Sequence, residues 1–281
     1  MKEKWKVDKK NILLKNVLIA GILNITSDSF YDGGKFIDIE KAIERGKEII
    51  NQGADIIDIG GESSRPGSIP ISEKEEIKRV IPVIKELSGE NIIISVDTYK
   101  SKVAEKAIKN GAKIINDISA LEMDRKLVDI LKTSECGYVL MHMKGTPKIM
   151  QENPYYKDTI GEITEFFKGK LEYIEKNGID IERVVIDPGI GFGKRVIDNI
   201  LILKHLDKFK KFKRPIFIGT SRKAFIGKIL NLEVEQRLEG SLATVVYAYL
   251  KGARIFRVHD VKETKRVLDI IRAIENENIG T

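Results

Sequence analysis

The chain has one cysteine, Cys136, which excludes an internal disulfide and a thiolate metal cluster. Its three histidines, His142, His205 and His259, lie far apart, so no histidine metal centre is read either. Aromatic residues are only 7% of the total and do not interleave with basic ones as in single-strand nucleic-acid binders. No apolar run approaches the roughly 18 residues that span a bilayer. The first ten residues, MKEKWKVDKK, are charged and no small-residue cleavage site follows, so no secretory leader is expected. Linker-like stretches rich in Pro, Gly or Ser, low-complexity segments and long repeats are all missing. These absences describe a single-domain protein of a reducing, cytoplasmic compartment.

What is present is ample material for a core: 42% hydrophobic residues in 281, with 32% charged. Net charge is +7, from 49 basic and 42 acidic residues, spread along the chain apart from the short cluster KFKKFKR at 208–214. Anionic small molecules suit that bias better than nucleic acid.

Short Ile- and Val-rich runs at 17–25, 55–62, 91–98, 113–120, 136–143, 183–189, 214–221 and 253–260 read as buried strands. Amphipathic patterns at 38–51, 73–87, 101–110, 155–177, 197–211, 222–230, 235–251 and 262–276 read as helices between and after them. Strand–helix alternation repeated eight times predicts a single (β/α)8 TIM barrel over about 17–276. A doubly wound open sheet would have fewer strands and a glycine fingerprint after the first.

Nearly every predicted strand ends on a residue that carries chemistry: Asn24, Glu62, Asp97, Asn116, His142, Asp187, Ser221 and His259. In a barrel these ends open onto one face. Capping of the next helix explains any one of them, but not the acid or amide inside VDT and IND. The connection TSDSFYDGGKF (26–36) is long, polar and rich in glycine. GGESSRPGS (60–68) sets Arg65 among serines and a Pro-Gly turn, a composition suited to closing over an oxyanion.

The stretch VVIDPGIGFGK (184–194) is neither of the two common phosphate loops. Pro188 stands at the first glycine of a Walker A motif and Arg195 at its Ser/Thr, while Gly189, Gly191 and Gly193 merely alternate. A carboxylate beside bare backbone suits a flat heterocycle whose ring N–H groups need an acceptor. GTSRKAFIGK (219–228) puts Ser221 and Lys223 at a strand-to-helix turn, and IFRVHD aims Arg257 and His259 to one side of the last strand. Together they form an anion corner. A Mg²⁺ held mainly by ligand phosphates is compatible, with Asn24 or Asp28 supplying a protein oxygen.

With these segments in hand, the chain resembles the dihydropteroate synthases. The matching stretches run in family order from GILNITSDSFYDGG (21–34) through GADIIDIGGESSRPGS (53–68), SVDTYK (95–100), IINDIS (114–119) and VLMHMKGTP (139–147), and continue through DPGIGFGK (187–194), GTSRKAFIG (219–227) and RLEGSLAT (237–244) to RVHDV (257–261). The resemblance implies a TIM barrel, a homodimer, and Mg²⁺-assisted joining of 4-aminobenzoate to 6-hydroxymethyl-7,8-dihydropterin diphosphate. It implies that Asp97, Asn116, Asp187, Lys223 and Arg257 bind the pterin. Asn24, Ser64, Arg65, Arg257 and His259 fall to the diphosphate, with Asn24 on the metal. Arg65, Pro66, Phe192, Ser221 and Lys223 fall to aminobenzoate, and Asp97, Lys223, Arg257 and His259 are the expected catalytic set.

Four positions depart from the common pattern: Ser27 for proline, Ser64 for threonine, Ile190 for phenylalanine and Ala224 for serine. The last removes a hydroxyl that often meets the aminobenzoate carboxylate. The alternative is a pterin-binding methyltetrahydrofolate–corrinoid methyltransferase domain, which shares the barrel but has no need of GESSRPG, SRK and RVHD.

Overall fold

The computed structural model describes residues 4–14, 17–26, 31–32, 36–37, 39–65 and 67–276. Eight parallel strands close into a barrel: β1 Leu18–Asn24, β2 Ile56–Gly60, β3 Ile93–Asp97, β4 Ile114–Asp117, β5 Gly137–Met141, β6 Val184–Asp187, β7 Ile216–Ile218 and β8 Ala253–Val258. β8 pairs back onto β1, with Ile255 opposite Leu18 and Val258 opposite Gly21. The closed sheet has no edge to protect. Its strands are buried on both faces, which is why they read as unbroken apolar runs rather than alternating ones.

Helices α1 Ile39–Asn51, α2 Glu73–Leu87, α3 Ser101–Lys109, α4 Leu127–Thr133, α5 Thr159–Lys176, α6 Val196–Lys204, α7 Ala224–Leu230, α8 Leu238–Leu250 and α9 Val261–Asn276 surround it. The main core lies between their inner faces and the outward strand residues Ile57, Ile59, Val96, Ile115 and Ile186. α2 starts where Ser72 Oγ accepts the Glu75 N–H at 3.1 Å, with three glutamates in its first turn.

Strand register fixes the geometry of the barrel mouth. Asn24 lies opposite Gly60, Gly60 opposite Asp97, and Asp97 opposite Asn116. One rung thus carries an amide, a bare backbone, an acid and an amide. Two residues earlier on β2, on the same face as Gly60, stands Asp58.

The other end is closed by a segment that the sequence pattern did not reveal. Lys4–Val7 and Lys10–Leu13 form an antiparallel hairpin. Trp5 and Val7 pack with Leu18, Ala20, Ile56, Ile114, Val139, Val185, Phe217 and Ile255 in a second core. Trp5 is fully buried and its indole N–H donates to the Arg183 carbonyl at 2.7 Å. The turn residues Asp8 and Lys9 adopt φ of 49° and 64° without a glycine to advertise them. α4 is too short for a periodic signal, and the paired segments Tyr31–Asp32 and Phe36–Ile37 lie within a connection read as loop. The helix expected over 197–211 breaks after Lys204 into a 3₁₀ stretch, Leu206–Phe212.

Trp5→Ala should cost about 3–5 kcal/mol of unfolding free energy, measured by denaturant titration, since it empties a closed plug. An unchanged midpoint would show that the hairpin is not part of the core.

Candidate active site

A cavity of about 770 Å³ opens at the C-terminal ends of the strands. Asn24 from β1, Asp97 from β3, Asn116 from β4 and Asp187 from β6 line it. So do Ser221 and Lys223 after β7, and Arg257 and His259 at the end of β8. Ser64 and Arg65 approach from the β2–α2 loop and Phe192 from the β6–α6 loop. Pro66, Ser27 and Asp28 lie outside the described residues. Two strand-end residues go elsewhere. Glu62 is bound by Lys100, and the His142 ring pairs with Lys194.

The centre of the mouth is the Arg257 guanidinium. Its Nε donates to Asp58 Oδ2 at 2.6 Å and its Nη2 to Asp97 Oδ2 at 2.7 Å. Asn116 Nδ2 donates to the same Asp58 oxygen at 3.0 Å. Asp58 therefore positions both Arg257 and Asn116, and it was missed in the sequence. It sits in DIIDIG, where an acid in a buried run is visible but its partners are not. Two acceptors in this network, Asp58 Oδ1 and Asn116 Oδ1, are buried without a hydrogen-bond partner among the described residues. Such groups are costly unless a ligand satisfies them.

Burial pushes the Asp97 carboxyl up to about 7, a rise that Arg257 opposes and Asp58 reinforces. Burial lowers Arg257 on its own, but Asp58 and Asp97 more than offset this, so its pKa is raised and the guanidinium stays charged.

Across the mouth, burial lifts Asp187 to about 6 against the pull of the Gly189 N–H, which donates to Asp187 Oδ1 at 2.7 Å. Burial likewise lowers Lys223 to about 8, with Arg257 adding to the fall and Asp187 and Asp97 opposing it. Lys223 Nζ lies 4.2 Å from the centre of the Phe192 ring, so the cation caps an aromatic wall. The alternating glycines now have a cause. At Gly189 and Gly193, φ is 66° and 63°, and an added Cβ would strike the carbonyl oxygens of His142 and Lys144 at 2.0 and 2.1 Å. The loop is pressed against the β5 exit, and Lys194 Nζ fastens it there by contacts to His142 Nδ1 at 3.0 Å and the Phe192 carbonyl at 2.9 Å.

The anion corner is braced at the cavity rim, which Arg222 also lines. Arg222 forks onto Asp260 at 3.0 and 2.5 Å, tying the β7 exit to the β8 exit. Ser221 Oγ accepts the His259 backbone N–H at 3.2 Å and lies 3.1 Å from His259 Nδ1. A neutral ring whose Nδ1 accepts the hydroxyl hydrogen presents Nε2–H as a donor. Burial, with Arg257 nearby, pushes His259 down to about 4, so the ring is a neutral donor and not a second cation.

No group of three or more His, Cys, Asp or Glu able to cage a metal occurs among the described residues. Asn24 Oδ1 and Asp97 Oδ2 flank the bare Gly60 backbone, 3.5 and 3.7 Å from where a Cβ would sit. That donor set fits a hard cation held mainly by a ligand's phosphate oxygens, with an amide oxygen of Asn24 completing its shell.

The family model of the pterin binding enzymes matches residues 20–259. The dihydropteroate synthase of Escherichia coli strain K12 is 44% identical over 256 residues, covering 91% of this chain and 90% of that protein. The Bacillus subtilis strain 168 enzyme is 43% identical over 264 residues, covering 94% and 90%. The solved dihydropteroate synthase of Yersinia pestis with a sulfonamide drug complex matches with a TM-score of 0.91 at 40% identity, over 97% of this chain and 99% of that one. The Xanthomonas albilineans enzyme with 4-aminobenzoic acid matches with a TM-score of 0.91 at 38% identity, over 98% and 99%. The chain belongs to the pterin binding enzymes and, within them, to the dihydropteroate synthases.

Proposed function

We propose that this cavity joins 4-aminobenzoate to 6-hydroxymethyl-7,8-dihydropterin diphosphate, giving 7,8-dihydropteroate and diphosphate for folate synthesis. The observation that carries the reading is the set of buried, desolvated acids and amides around one pinned guanidinium, beside a separate donor-rich corner. A flat ring bearing N–H donors and carbonyl acceptors satisfies the first, and a diphosphate satisfies the second.

Asp187 and Asn116 accept and donate along the pterin edge, and Lys223 serves its acceptor side. Arg257 stacks on the ring while one end of its fork faces the diphosphate. His259 Nε2–H, Ser64 and Arg65 complete the diphosphate shell. Mg²⁺, held by Asn24 and the ligand's own oxygens, supplies charge neutralisation to the leaving group when bound. As the C–O bond at the pterin methylene breaks, the bonding pair leaves with diphosphate. The positive charge on the methylene spreads into the ring, where the carboxylates of Asp97 and Asp187 stabilise it. The arylamine nitrogen then forms the new C–N bond and loses its proton to solvent or departing diphosphate. Phe192, Pro66 and the Lys223 stem form the aminobenzoate slot, with Ser221 and Arg65 nearest its carboxylate. Backbone N–H groups at the start of α7 stand in for the hydroxyl absent at Ala224. No protein nucleophile is needed, and positioning alone can contribute roughly 7–11 kcal/mol.

The synthase relatives across most of the chain favour this over corrinoid methyl transfer. No helix among the described residues is long and apolar enough to cross a membrane, and we place the enzyme in the cytoplasm. A homodimer is supported by α6 and α8, which touch and turn Ile197, Ile200, Tyr247 and Leu250 outward at 38–58% exposure. The pair Ile200→Glu and Leu250→Glu should convert a dimer to a monomer in sedimentation velocity; a parent protein that already runs as a monomer contradicts this.

Purified protein with Mg²⁺ and both substrates should release dihydropteroate and diphosphate in equal amounts. Tight pterin binding without product would overturn the reading. Lys223→Ala should lower kcat/KM about 10²-fold. Because the free protein binds a proton at Asp187 near 6 and at Asp97 near 7, kcat/KM for the pterin should fall as pH drops through that range. The stability linkage has the opposite sense. A folded-state pKa raised above the unfolded value adds stability below about 4, and that stability is lost as pH rises through about 6. Asp187→Asn should therefore fold at pH 7.5 at least as stably as the parent, yet bind pterin at least tenfold more weakly by calorimetry. Near-normal binding would remove Asp187 from ring recognition.

A further inference from the structure

The β2–α2 loop carries Ser64 and Arg65 into the cavity, but few bonds hold its tip. Ser68 N–H donates to the Arg65 carbonyl and Gly67 N–H to the Pro147 carbonyl, both at 3.1 Å. Its two ends are tied far more firmly. Glu62, at the root, accepts the Ile71 N–H at 2.7 Å. Lys100, leading into α3, sends Nζ to the same Glu62 Oε2 at 2.7 Å and to the Ile71 carbonyl at 2.8 Å. Both backbone groups of Ile71 are thereby taken. The ammonium is only 9% exposed and is completed by Glu76 Oε2 of α2 at 2.6 Å. A buried ammonium with three oxygen acceptors is fully satisfied, and its bonds are of the charge-assisted kind.

We propose that Lys100 and Glu62 form a clasp that closes the base of the β2–α2 loop, making both positioning residues for the capture of diphosphate by Ser64 and Arg65 and of aminobenzoate by Arg65. This rests on the assignment of that loop to aminobenzoate and diphosphate given above. Neither clasp residue lines the cavity. Their action is entropic: with 62 and 71 joined, the intervening segment is a short closed loop, and its tip searches few conformations. With the clasp cut, Arg65 must be ordered at the moment of binding. Glu76 supplies the ammonium's third partner from α2; it packs beside Gly61 but its side chain bonds neither Glu62 nor Ile71, so it separates local charge balance from loop closure.

The test compares Glu62→Ala, Lys100→Met and Glu76→Gln with the parent, using hydrogen exchange of the peptide spanning 61–72, binding of 6-hydroxymethyl-7,8-dihydropterin without its diphosphate, and KM for aminobenzoate. Glu62→Ala guards against misfolding of Lys100→Met, which strands two carboxylates. The clasp predicts at least tenfold faster exchange in that peptide for both, an aminobenzoate KM raised at least tenfold, and a Kd within threefold for the dihydropterin without its diphosphate. Glu76→Gln should stay within threefold on all three readouts. Unchanged exchange in Glu62→Ala would overturn the clasp itself. Faster exchange with an unchanged aminobenzoate KM would leave the clasp standing and remove its role in capture. Equal losses for aminobenzoate and for the dihydropterin without its diphosphate in all three variants would reduce the cluster to general stability and overturn the proposal.

Discussion

The site depends on holding one guanidinium largely buried in the barrel mouth. Arg257 leaves solvent only because Asp58 and Asp97 each accept from it, 2.6 and 2.7 Å away. A buried cation of this kind costs several kcal/mol unless paired and hydrogen-bonded. The pairing in turn fixes the acids. Asp58 is shared with Asn116, so strands β2, β3, β4 and β8 are cross-linked through polar atoms across the barrel. Barrel closure makes this possible, because β8 pairs with β1 and brings Arg257 opposite strands more than 150 residues earlier in the chain.

The same desolvation acts on the other ionisable groups of the mouth. Asp187 and Asp97 are pushed up by burial, Lys223 and His259 down. Each shift marks a group whose charged form is desolvated by burial. A ring with complementary donors and acceptors compensates these groups, and a cation developing at the pterin methylene favours the charged forms of the two carboxylates further. The surrounding braces keep these groups from collapsing onto one another: Arg222 on Asp260, Lys194 on the β6–α6 loop, and Lys100 on Glu62. Functional charge in the mouth is thus framed by Arg222 and Lys194 at its wall and by Lys100 behind it.

Much of this was legible in the chain. The eight strands are marked by apolar runs, and their polar ends Asn24, Asp97, Asn116, Asp187, Ser221 and His259 do converge. What was hidden follows from physical causes. Asp58 lies inside a strand, where sequence shows an acid but not the arginine that closes on it from β8. Glu62 and His142 looked equivalent to the others, yet side-chain direction at a strand exit is decided by partners distant in sequence, Lys100 and Lys194. The sequence leaves open whether His259 serves the anion corner as a cation or as a neutral donor, and burial makes it the latter. The N-terminal hairpin alternates charged residues with Trp5 and Val7, and only the hollow end of a barrel explains why those two are buried.

The most direct measurement is the affinity of Asp58→Asn for dihydropterin diphosphate, with thermal stability recorded alongside. If Asp58 holds Arg257 and Asn116 in place, the dissociation constant rises at least tenfold while the protein remains folded, because the two groups lose their common acceptor charge. Unchanged affinity in a folded variant would contradict the account, since the guanidinium would then be oriented without the interaction on which the mouth is built.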